Sequence, residues 1–315
     1  MTRPVAVVTV TYNAERHIAD MLVSVRRAAD GRDVPIVVVD NGSTDATVQR
    51  LREDGGVLLI EQGNTGFAHG VNRGVAAAPA EHDILVLNPD VIVEPDAIDR
   101  MTRTLEAFPE AGVIVPRLTD EDGHVVRSLR RAPSIHRTLV ETLLGGNRAG
   151  RFGEAYAPDP AAGPRTVDWA TGAVMLLRRT VFDRVGGLDE SFFLYSEETD
   201  YCLRVRASGH PVVVEPRASV MHVGGELGHH PRLWTLRTLN RVRRYRRNAG
   251  WVAGLGFWLA QSAFEARRAL SGDAGSRAAL RALMTSDLDQ AAIREALALG
   301  GDPAPMIARH PRAVG

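Results

Sequence analysis

The chain contains no lysine and a single cysteine, and both deficits restrict its chemistry. All 38 basic residues among its 315 residues are arginine. Chemistry that needs a lysine amine, such as a Schiff base or the lysine of a phosphate-binding loop, is therefore excluded. Because Cys202 stands alone, an intrachain disulfide is also excluded, and we expect this thiol to be buried and inert.

The sequence also lacks a long apolar run. The run at residues 5–10 is too short for a signal peptide and is typical of a buried strand. The most apolar later stretch, residues 251–264, is shorter than the ~20 residues that a membrane-spanning helix needs. A segment of this kind can instead lie in the plane of a membrane interface.

The formal net charge is zero, which argues against a protein coated with nucleic-acid-binding charge. The charges are unevenly distributed, however. Residues 1–225 carry 24 arginines against 31 acidic residues, whereas residues 226–315 carry 14 arginines against 7. The neutral total therefore combines an acidic body with a basic C-terminal part.

The first 115 residues alternate short apolar runs with helix-like segments. Such alternation predicts an α/β fold, in which a mostly parallel sheet is covered by helices on both faces. The predicted strands are residues 5–10, 34–39, 57–60, 84–87 and 113–115, and the predicted helices are residues 14–29, 44–53, 67–77 and 95–107.

The pattern is less regular in the rest of the chain. It predicts a loop at residues 154–165, one strand at 167–177, a helix at 196–208 and a short strand at 212–214. Helical, arginine-rich sequence follows. We therefore predict an α/β domain at residues 1–225, a basic helical extension at 226–300 and a poorly ordered tail at 301–315.

Polar residues follow three of the predicted strands, at residues 11–13, 40–41 and 88–90. Ligands of open parallel sheets bind at the carboxyl ends of the strands, so these residues predict a nucleotide crevice. The first strand is not followed by the glycine pattern of dinucleotide-binding folds, and this disfavours a dehydrogenase.

Seven short motifs occur in order along the first part of the chain. They are VTVTYN at 8–13, VVDNGSTD at 38–45, NTGFAHGVNRG at 64–74, LNPDV at 87–91, WATG at 169–172, GGLDESFF at 186–193 and EETD at 197–200. Together they resemble glycosyltransferase family 2, whose members have the GT-A fold, and the resemblance implies that residues 1–225 are a GT-A glycosyltransferase domain. Among the members of this family, the chain looks most like bacterial enzymes that transfer rhamnose from dTDP-rhamnose to GlcNAc-diphospho-polyprenol.

The resemblance implies a metal site formed by Asp90 and His222. A divalent cation, Mg²⁺ or Mn²⁺, neutralises the diphosphate that leaves with the nucleotide. Asn88 stands where the family's motif has its first aspartate, which leaves Asp90 as the one carboxylate of this motif. A plain turn after a strand is the alternative interpretation of this segment.

The resemblance also implies that Glu198 is the general base, which removes a proton from the acceptor hydroxyl as that oxygen attacks the anomeric carbon. A single displacement predicts inversion. Glu197 is the less favoured candidate. The acidic residues also suit a helix N-terminus, and Asp200 can simply pair with Arg204.

The resemblance implies that two further groups of residues contact the substrates. Asp40 corresponds to the carboxylate that accepts from a pyrimidine, although it is also a candidate turn residue. The predicted donor-nucleotide contacts are Thr11, Asn13, Asp40, Asn64, Gly66, Asn72 and Asn88, and the predicted sugar or acceptor contacts are Trp169, Thr171, Gly172, Glu197 and Asp200.

Residues 231–247 contain seven arginines and no acid. Beside an apolar helix, this segment favours an anionic membrane surface or the acceptor's diphosphate. A solvated helix face or a partner subunit are alternatives.

We therefore predict an inverting, metal-dependent rhamnosyltransferase with a lipid-linked acceptor, cytoplasmic and peripheral at the inner face of the membrane. The alternatives are a UDP-sugar-dependent enzyme and a non-catalytic nucleotide-sugar-binding subunit.

Overall fold

The computed structural model describes residues 3–146, 148–224 and 230–285. It has two compact units. The first contains Met1–Pro133 and Leu144–Gly224, and the second contains Ser134–Leu143 and Gly225–Gly315. The predicted tail at 301–315 and the predicted extension beyond residue 285 lie outside the described residues.

A central sheet organises the first unit. Its strands are near-continuous apolar runs, which suit strands that are buried on both faces. The strands of this unit, including a small second sheet, are β1 Val5–Thr11, β2 Ile36–Asp40, β3 Leu58–Glu61, β4 Asp83–Leu87, β5 Val91–Val93, β6 Val113–Thr119, β7 Leu129–Arg130, β8 Ala155–Tyr156, β9 Arg165–Val167, β10 Trp169–Ala170, β11 Val174–Leu177 and β12 Val212–His222.

The central sheet has the order β3-β2-β1-β4-β11-β6-β12-β5, and β9 also pairs with β12. Strands β1 to β4 run parallel, as the sequence predicted. β11 is inserted antiparallel between β4 and β6, so the sheet is mixed. The small sheet has the order β10-β7-β8.

Helices cover both faces of the central sheet and bury its alternating side chains. Val7 of β1 belongs to one core cluster with Met21, whereas Val8 belongs to the other with Val71. The two-sided arrangement predicted from the sequence is thus confirmed. The helices of this unit are α1 Ile18–Ala29, α2 Thr47–Asp54, α3 Phe67–Ala77, α4 Ala97–Ala107, α6 Arg179–Val185 and α7 Glu197–Ala207.

Glycines let α3 approach the sheet closely. A Cβ atom on Gly70 would lie 2.8 Å from a Val10 methyl carbon, and one on Gly74 would lie 2.5 Å from Val8 Cγ1. Both distances are too short for a real contact. Two glycines of the motif at residues 64–74 are therefore required for packing between the helix and the sheet.

Two strand predictions were wrong in their extent. Residues 167–177 do not form one strand, because the segment between Ala170 and Val174 separates β10 of the small sheet from β11 of the central sheet. The strand predicted at residues 212–214 continues as β12 to His222, after a register shift against β6. Its added length carries the chain to the metal-site candidate His222.

The second unit is helical. Its helices are α5 Ile135–Leu144, α8 Pro231–Leu270 and α9 Ala274–Thr285. α8 is interrupted at Gly250, whose φ of 79° and ψ of 176° are not helical. Buried Glu265 accepts hydrogen bonds from Trp234 and Thr238, which join the two arms of α8, and from Gln261 of its own arm. Among the described residues, every helix is too short or too polar to cross a membrane.

Candidate functional site

The carboxyl ends of β1 and β2 are joined by hydrogen bonds around Asp40. Thr11 lies opposite Asp40 in the register and donates to it at 3.0 Å. The carboxylate also accepts from the backbone N–H groups of Gly42 and Ser43 and from the Ser43 hydroxyl. Asp40 is 2% exposed. Asp40 thus makes the hydrogen bonds of a turn residue, which is the alternative interpretation of this position. Its contact with the nucleotide stays a prediction.

Asn13 connects the end of β1 to the same turn. Its φ of 51° is left-handed, and its Oδ1 accepts from the Thr44 N–H at 2.7 Å. Its own N–H donates to Ser43 Oγ at 2.9 Å. Hydrogen bonds therefore join the polar ends of β1 and β2 and order the side chains at this edge of the sheet.

Asp90 and His222 are brought together by the antiparallel pairing of β5 with β12. His222 lies opposite Val91 in the register, and its Nε2 is 3.3 Å from Asp90 Oδ1. Burial raises the pKa of Asp90, but the hydrogen bond and charge of His222, together with smaller contributions, lower it further, so the pKa is below the ordinary value of an aspartate. The site thus combines an ionised carboxylate with an imidazole nitrogen.

The same place has room and ligand capacity for a divalent cation. Asp90 Oδ1 is buried, and no hydrogen bond of good geometry reaches it from the described residues. A Cβ atom on Gly224 would lie 2.7 Å from Asp90 Oδ2 and 2.8 Å from His222 Nε2, so only glycine leaves this space open. One carboxylate and one imidazole suit Mg²⁺ or Mn²⁺ that keeps waters or phosphate oxygens as further ligands.

A second acidic group lies elsewhere, in the turn after β6. Asp120, Asp122 and His124 place one ligand atom each within 4.8 Å of one another. The turn is partly or fully exposed, and the Asp120 carboxylate already accepts from the N–H groups of Asp122 and His124. It serves best as a control for the Asp90–His222 pair.

Glu198 is connected to the segment that contains Asp90 through two short links. Asn88, two residues before Asp90, donates its N–H to Ala173 O at 2.9 Å. Gly172, which precedes Ala173, packs directly against Glu198. A Cβ atom on this glycine would lie 3.1 Å from Glu198 Cβ. The Asp90 segment and the candidate base therefore meet at the junction of β4 and β11. Thr171, also predicted here, donates its N–H to Ser128 O.

The turn that precedes α7 is strained and contains a buried carboxyl group. Tyr195 and Ser196 are both left-handed, with φ of 66° and 79°. Such conformations in residues other than glycine cluster at functional sites. Glu197 is 3% exposed, and burial, reinforced by the charge of Glu198, raises its pKa well above the ordinary value.

Three predicted contact residues have structural partners. Asn72 donates to Leu188 O and Glu190 and accepts from the Leu188 N–H. Asp200 pairs with Arg204 at 2.6 Å, as the alternative interpretation held. Trp169 is 7% exposed and donates its indole N–H to Arg131 O. These partners fix the loops around α7, and the roles in substrate binding stay predictions.

The remaining predicted contacts lie in the loop before α3. Asn64 Oδ1 accepts from the Gly66 N–H at 3.3 Å. Gly66 has a φ of 98°, and a Cβ atom on it would lie 2.5 Å from Phe193 O. The N–H of the next residue, Phe67, donates to the same Phe193 carbonyl. This loop is therefore tied to the segment that leads into Glu197 and Glu198.

Sequence reasoning missed Gly224 and Ser43. The glycine that follows His222 by two residues was an available signal, because a small residue beside two ligands leaves space for an ion. Cys202 was predicted correctly: it is free and buried, and burial raises its pKa to about 12.

Comparison with known proteins agrees with this architecture. The family model "Glycosyl transferase family 2" matches residues 6–185. The N-acetylglucosaminyl-diphospho-decaprenol L-rhamnosyltransferase of Mycobacterium tuberculosis is 35% identical over 236 residues, which cover 70% of this chain and 76% of that protein. Rhamnosyltransferase WbbL of Escherichia coli is 30% identical over 225 residues, covering 69% and 83%.

Solved structures show the same fold at low sequence identity. The mannosyltransferase PcManGT from Pyrobaculum calidifontis, in complex with GDP-Man and Mn²⁺, superposes with a TM-score of 0.54 at 17% identity and covers 94% of this chain and 79% of that one. GalNAc-T7 with UDP, GalNAc and Mn²⁺ has a TM-score of 0.53 at 14% identity, covering 89% and 56%. Together, the matched family model and the rhamnosyltransferase relatives show that the chain belongs to glycosyltransferase family 2 and is a rhamnosyltransferase-like member of it.

Proposed function

We propose that this glycosyltransferase moves L-rhamnose from dTDP-L-rhamnose to a GlcNAc unit carried on polyprenyl diphosphate, with Mg²⁺ or Mn²⁺ and with inversion at the anomeric carbon. The choice of donor and acceptor is supported by the mycobacterial relative, whose name specifies a GlcNAc-diphospho-decaprenol acceptor and an L-rhamnosyl group. The chemistry is supported by one observation: the segment that contains Asp90 of the Asp90–His222 pair is linked, through the hydrogen bond from Asn88 to Ala173, to Gly172, which packs against Glu198.

In this proposal, Glu198 takes the proton of the acceptor hydroxyl. The acceptor oxygen forms a bond to the anomeric carbon as the bond from that carbon to the diphosphate breaks, and the nucleoside diphosphate leaves with its electron pair. Asp90 and His222 would hold the divalent cation, which would neutralise charge on the leaving diphosphate. A single displacement needs no second carboxylate nucleophile, which accounts for inversion.

The polar ends of β1 and β2 are proposed to hold the nucleotide. Thr11, Asn13 and Asp40 are already ordered by the chain's own hydrogen bonds, so little conformational entropy is lost when a ligand contacts this edge. Residues 1–225 are proposed as the catalytic domain, acting from the cytoplasmic side of the membrane that carries the acceptor.

Competition binding tests the donor assignment. The displacement of a fluorescent nucleotide by dTDP, UDP and GDP is measured with and without Mn²⁺, and the anomeric configuration of the transferred sugar is read by NMR. Preference for dTDP and a product of inverted configuration support the proposal. Preference for UDP favours the UDP-sugar alternative, and binding without transfer from any donor favours a non-catalytic subunit.

A further inference from the structure

Large apolar side chains that reach solvent are concentrated in the second unit. Of the twelve such side chains among the described residues, eight belong to this unit, although it supplies only about a quarter of the residues described. An excess of this kind marks an interaction surface, since scattered single apolar residues are normal.

The arm of α8 after Gly250 carries the largest part of this surface. Trp251, Val252, Leu255 and Leu259 are 72%, 74%, 44% and 56% exposed. Their spacing puts them on one side of the helix. No charged residue occurs between residues 251 and 264. A helix face that is exposed to water normally carries charged residues, so we expect an apolar surface to cover this face.

Basic residues stand directly before this face. Arg246 and Arg247 are exposed at the end of the first arm, and the stem of Arg246 packs against Gly254 of the second arm. No acidic residue occurs from residue 231 to residue 264. The surface thus joins a positive border to an apolar face, the combination found in helices that lie in a membrane interface.

We propose that the second unit docks on an anionic lipid bilayer through a docking face formed by Arg246, Arg247, Trp251, Val252, Leu255 and Leu259. The apolar side chains enter the interfacial region, where tryptophan is favoured, and the guanidinium groups meet lipid phosphates. A symmetric contact with a second copy is disfavoured, because it would place this arginine-rich border against itself.

Vesicle flotation of the full chain tests the docking face. The wild type is expected to float with vesicles of phosphatidylglycerol and phosphatidylcholine but much less with phosphatidylcholine alone. Trp251→Gln combined with Leu255→Gln should lower the partition coefficient by about tenfold for each residue. The matched control is Leu58→Gln with Phe152→Gln, which removes two apolar residues of comparable total exposure from the first unit and should bind as the wild type does.

A second pair of variants tests the charge. Arg246→Gln with Arg247→Gln should weaken binding to anionic vesicles by about fivefold for each arginine, whereas Arg50→Gln with Arg103→Gln, in the first unit, should have a much smaller effect. Equal binding to neutral and anionic vesicles, or equal effects of the two pairs, would overturn the proposal.

Tryptophan fluorescence distinguishes docking on a bilayer from contact with another partner. Anionic vesicles should shift the wild-type emission to shorter wavelength, and Trp251→Gln should remove that shift. Two results would refute docking on lipid. One is a lipid-free dimer that Trp251→Gln dissociates, and the other is vesicle binding that appears only after residues 286–315 are deleted.

Docking on the bilayer is tested independently of the donor and of the reaction, because each of these measurements is made without substrate. With an acceptor whose lipid tail is too short to partition into membranes, the Trp251→Gln and Leu255→Gln double variant should retain wild-type turnover. Failure of the proposed rhamnosyl transfer would leave the vesicle results unchanged, and failure of docking would leave turnover unchanged.

Discussion

His222 Nε2 lies 3.3 Å from Asp90 Oδ1, although the two residues belong to distant parts of the sequence. The antiparallel ladder between β5 and β12 sets this distance, and Gly224 keeps the adjoining space open. The pair is the feature of this site that is best suited to hold a divalent cation against a diphosphate.

Replacing either member of the pair is expected to remove metal-dependent transfer. Asp90→Asn and His222→Ala should each lower Mn²⁺ affinity by more than the roughly 10–100-fold that loss of an outer partner of a metal ligand costs. Titration calorimetry with Mn²⁺ in the presence of dTDP measures this. Asp120→Asn, in the exposed acidic turn, is the control and should bind Mn²⁺ as the wild type does. The reverse pattern would move the metal site to that turn.

Glu198→Gln is expected to abolish transfer, because the amide cannot accept the proton of the acceptor hydroxyl. General base catalysis contributes about 10²–10⁴-fold, which sets the expected fall in kcat. Donor affinity should stay within about twofold, since the isosteric amide preserves shape. Glu121→Gln, an exposed change outside the site, controls for loss of charge. Turnover of Glu198→Gln at the wild-type rate would rule out the base assignment.

Glu197→Gln is expected to change how stability depends on pH. The pKa of Glu197 is raised in the folded state, so the folded protein binds this proton more tightly than the unfolded chain does. This contribution to stability is complete below the ordinary glutamate pKa and is lost as pH rises through the raised value. The wild type should therefore lose stability with rising pH in that window more steeply than Glu197→Gln.

Urea unfolding of both proteins across that window provides the test. Midpoints that converge at acidic pH and separate as the pH rises are the expected result, and Glu121→Gln should follow the wild type throughout. Parallel curves for the wild type and Glu197→Gln would show that Glu197 titrates normally.

Gly66→Ala is expected to destabilise the loop before α3. The left-handed φ of 98° costs a residue with a Cβ atom roughly 1–3 kcal/mol, and that atom would lie 2.5 Å from Phe193 O. Gly63→Ala is the matched control, because nothing lies within 4 Å of its Cβ position. Urea midpoints of the two variants measure the difference. Equal stabilities would mean that the loop relaxes away from Phe193.

The parallel half of the sheet was predictable from the sequence because it depends on local patterns. Continuous apolar runs identified β1, β2 and β4, and the polar residues at their ends predicted a binding edge. The break between β10 and β11 was missed, because residues 167–177 read as one apolar strand. Their division between two sheets is set by pairing with β7 and β4, which are distant in the sequence.

The residues of the candidate site were predictable from motifs, but the role of each residue was not. The fold brings Asp90 and His222 within 3.3 Å of each other, while the roles of these two residues and of Glu198 stay predictions. By contrast, Asn72 and Asp200 bond to neighbouring loops and side chains, and Asp40 is enclosed by Gly42 and Ser43. A motif records which residue stands at a position, whereas its hydrogen-bond partners depend on segments that only the fold brings close.

Transfer of a single sugar tests the central claim most directly. The wild-type protein is incubated with Mn²⁺, a GlcNAc-diphosphoprenol acceptor and, in turn, dTDP-L-rhamnose, UDP-glucose, UDP-GlcNAc or GDP-mannose, and the product mass is measured. The expected result is the addition of one deoxyhexose from dTDP-L-rhamnose, which Glu198→Gln and Asp90→Asn abolish. Turnover with UDP-sugars alone, with no product from dTDP-L-rhamnose, would contradict the assignment.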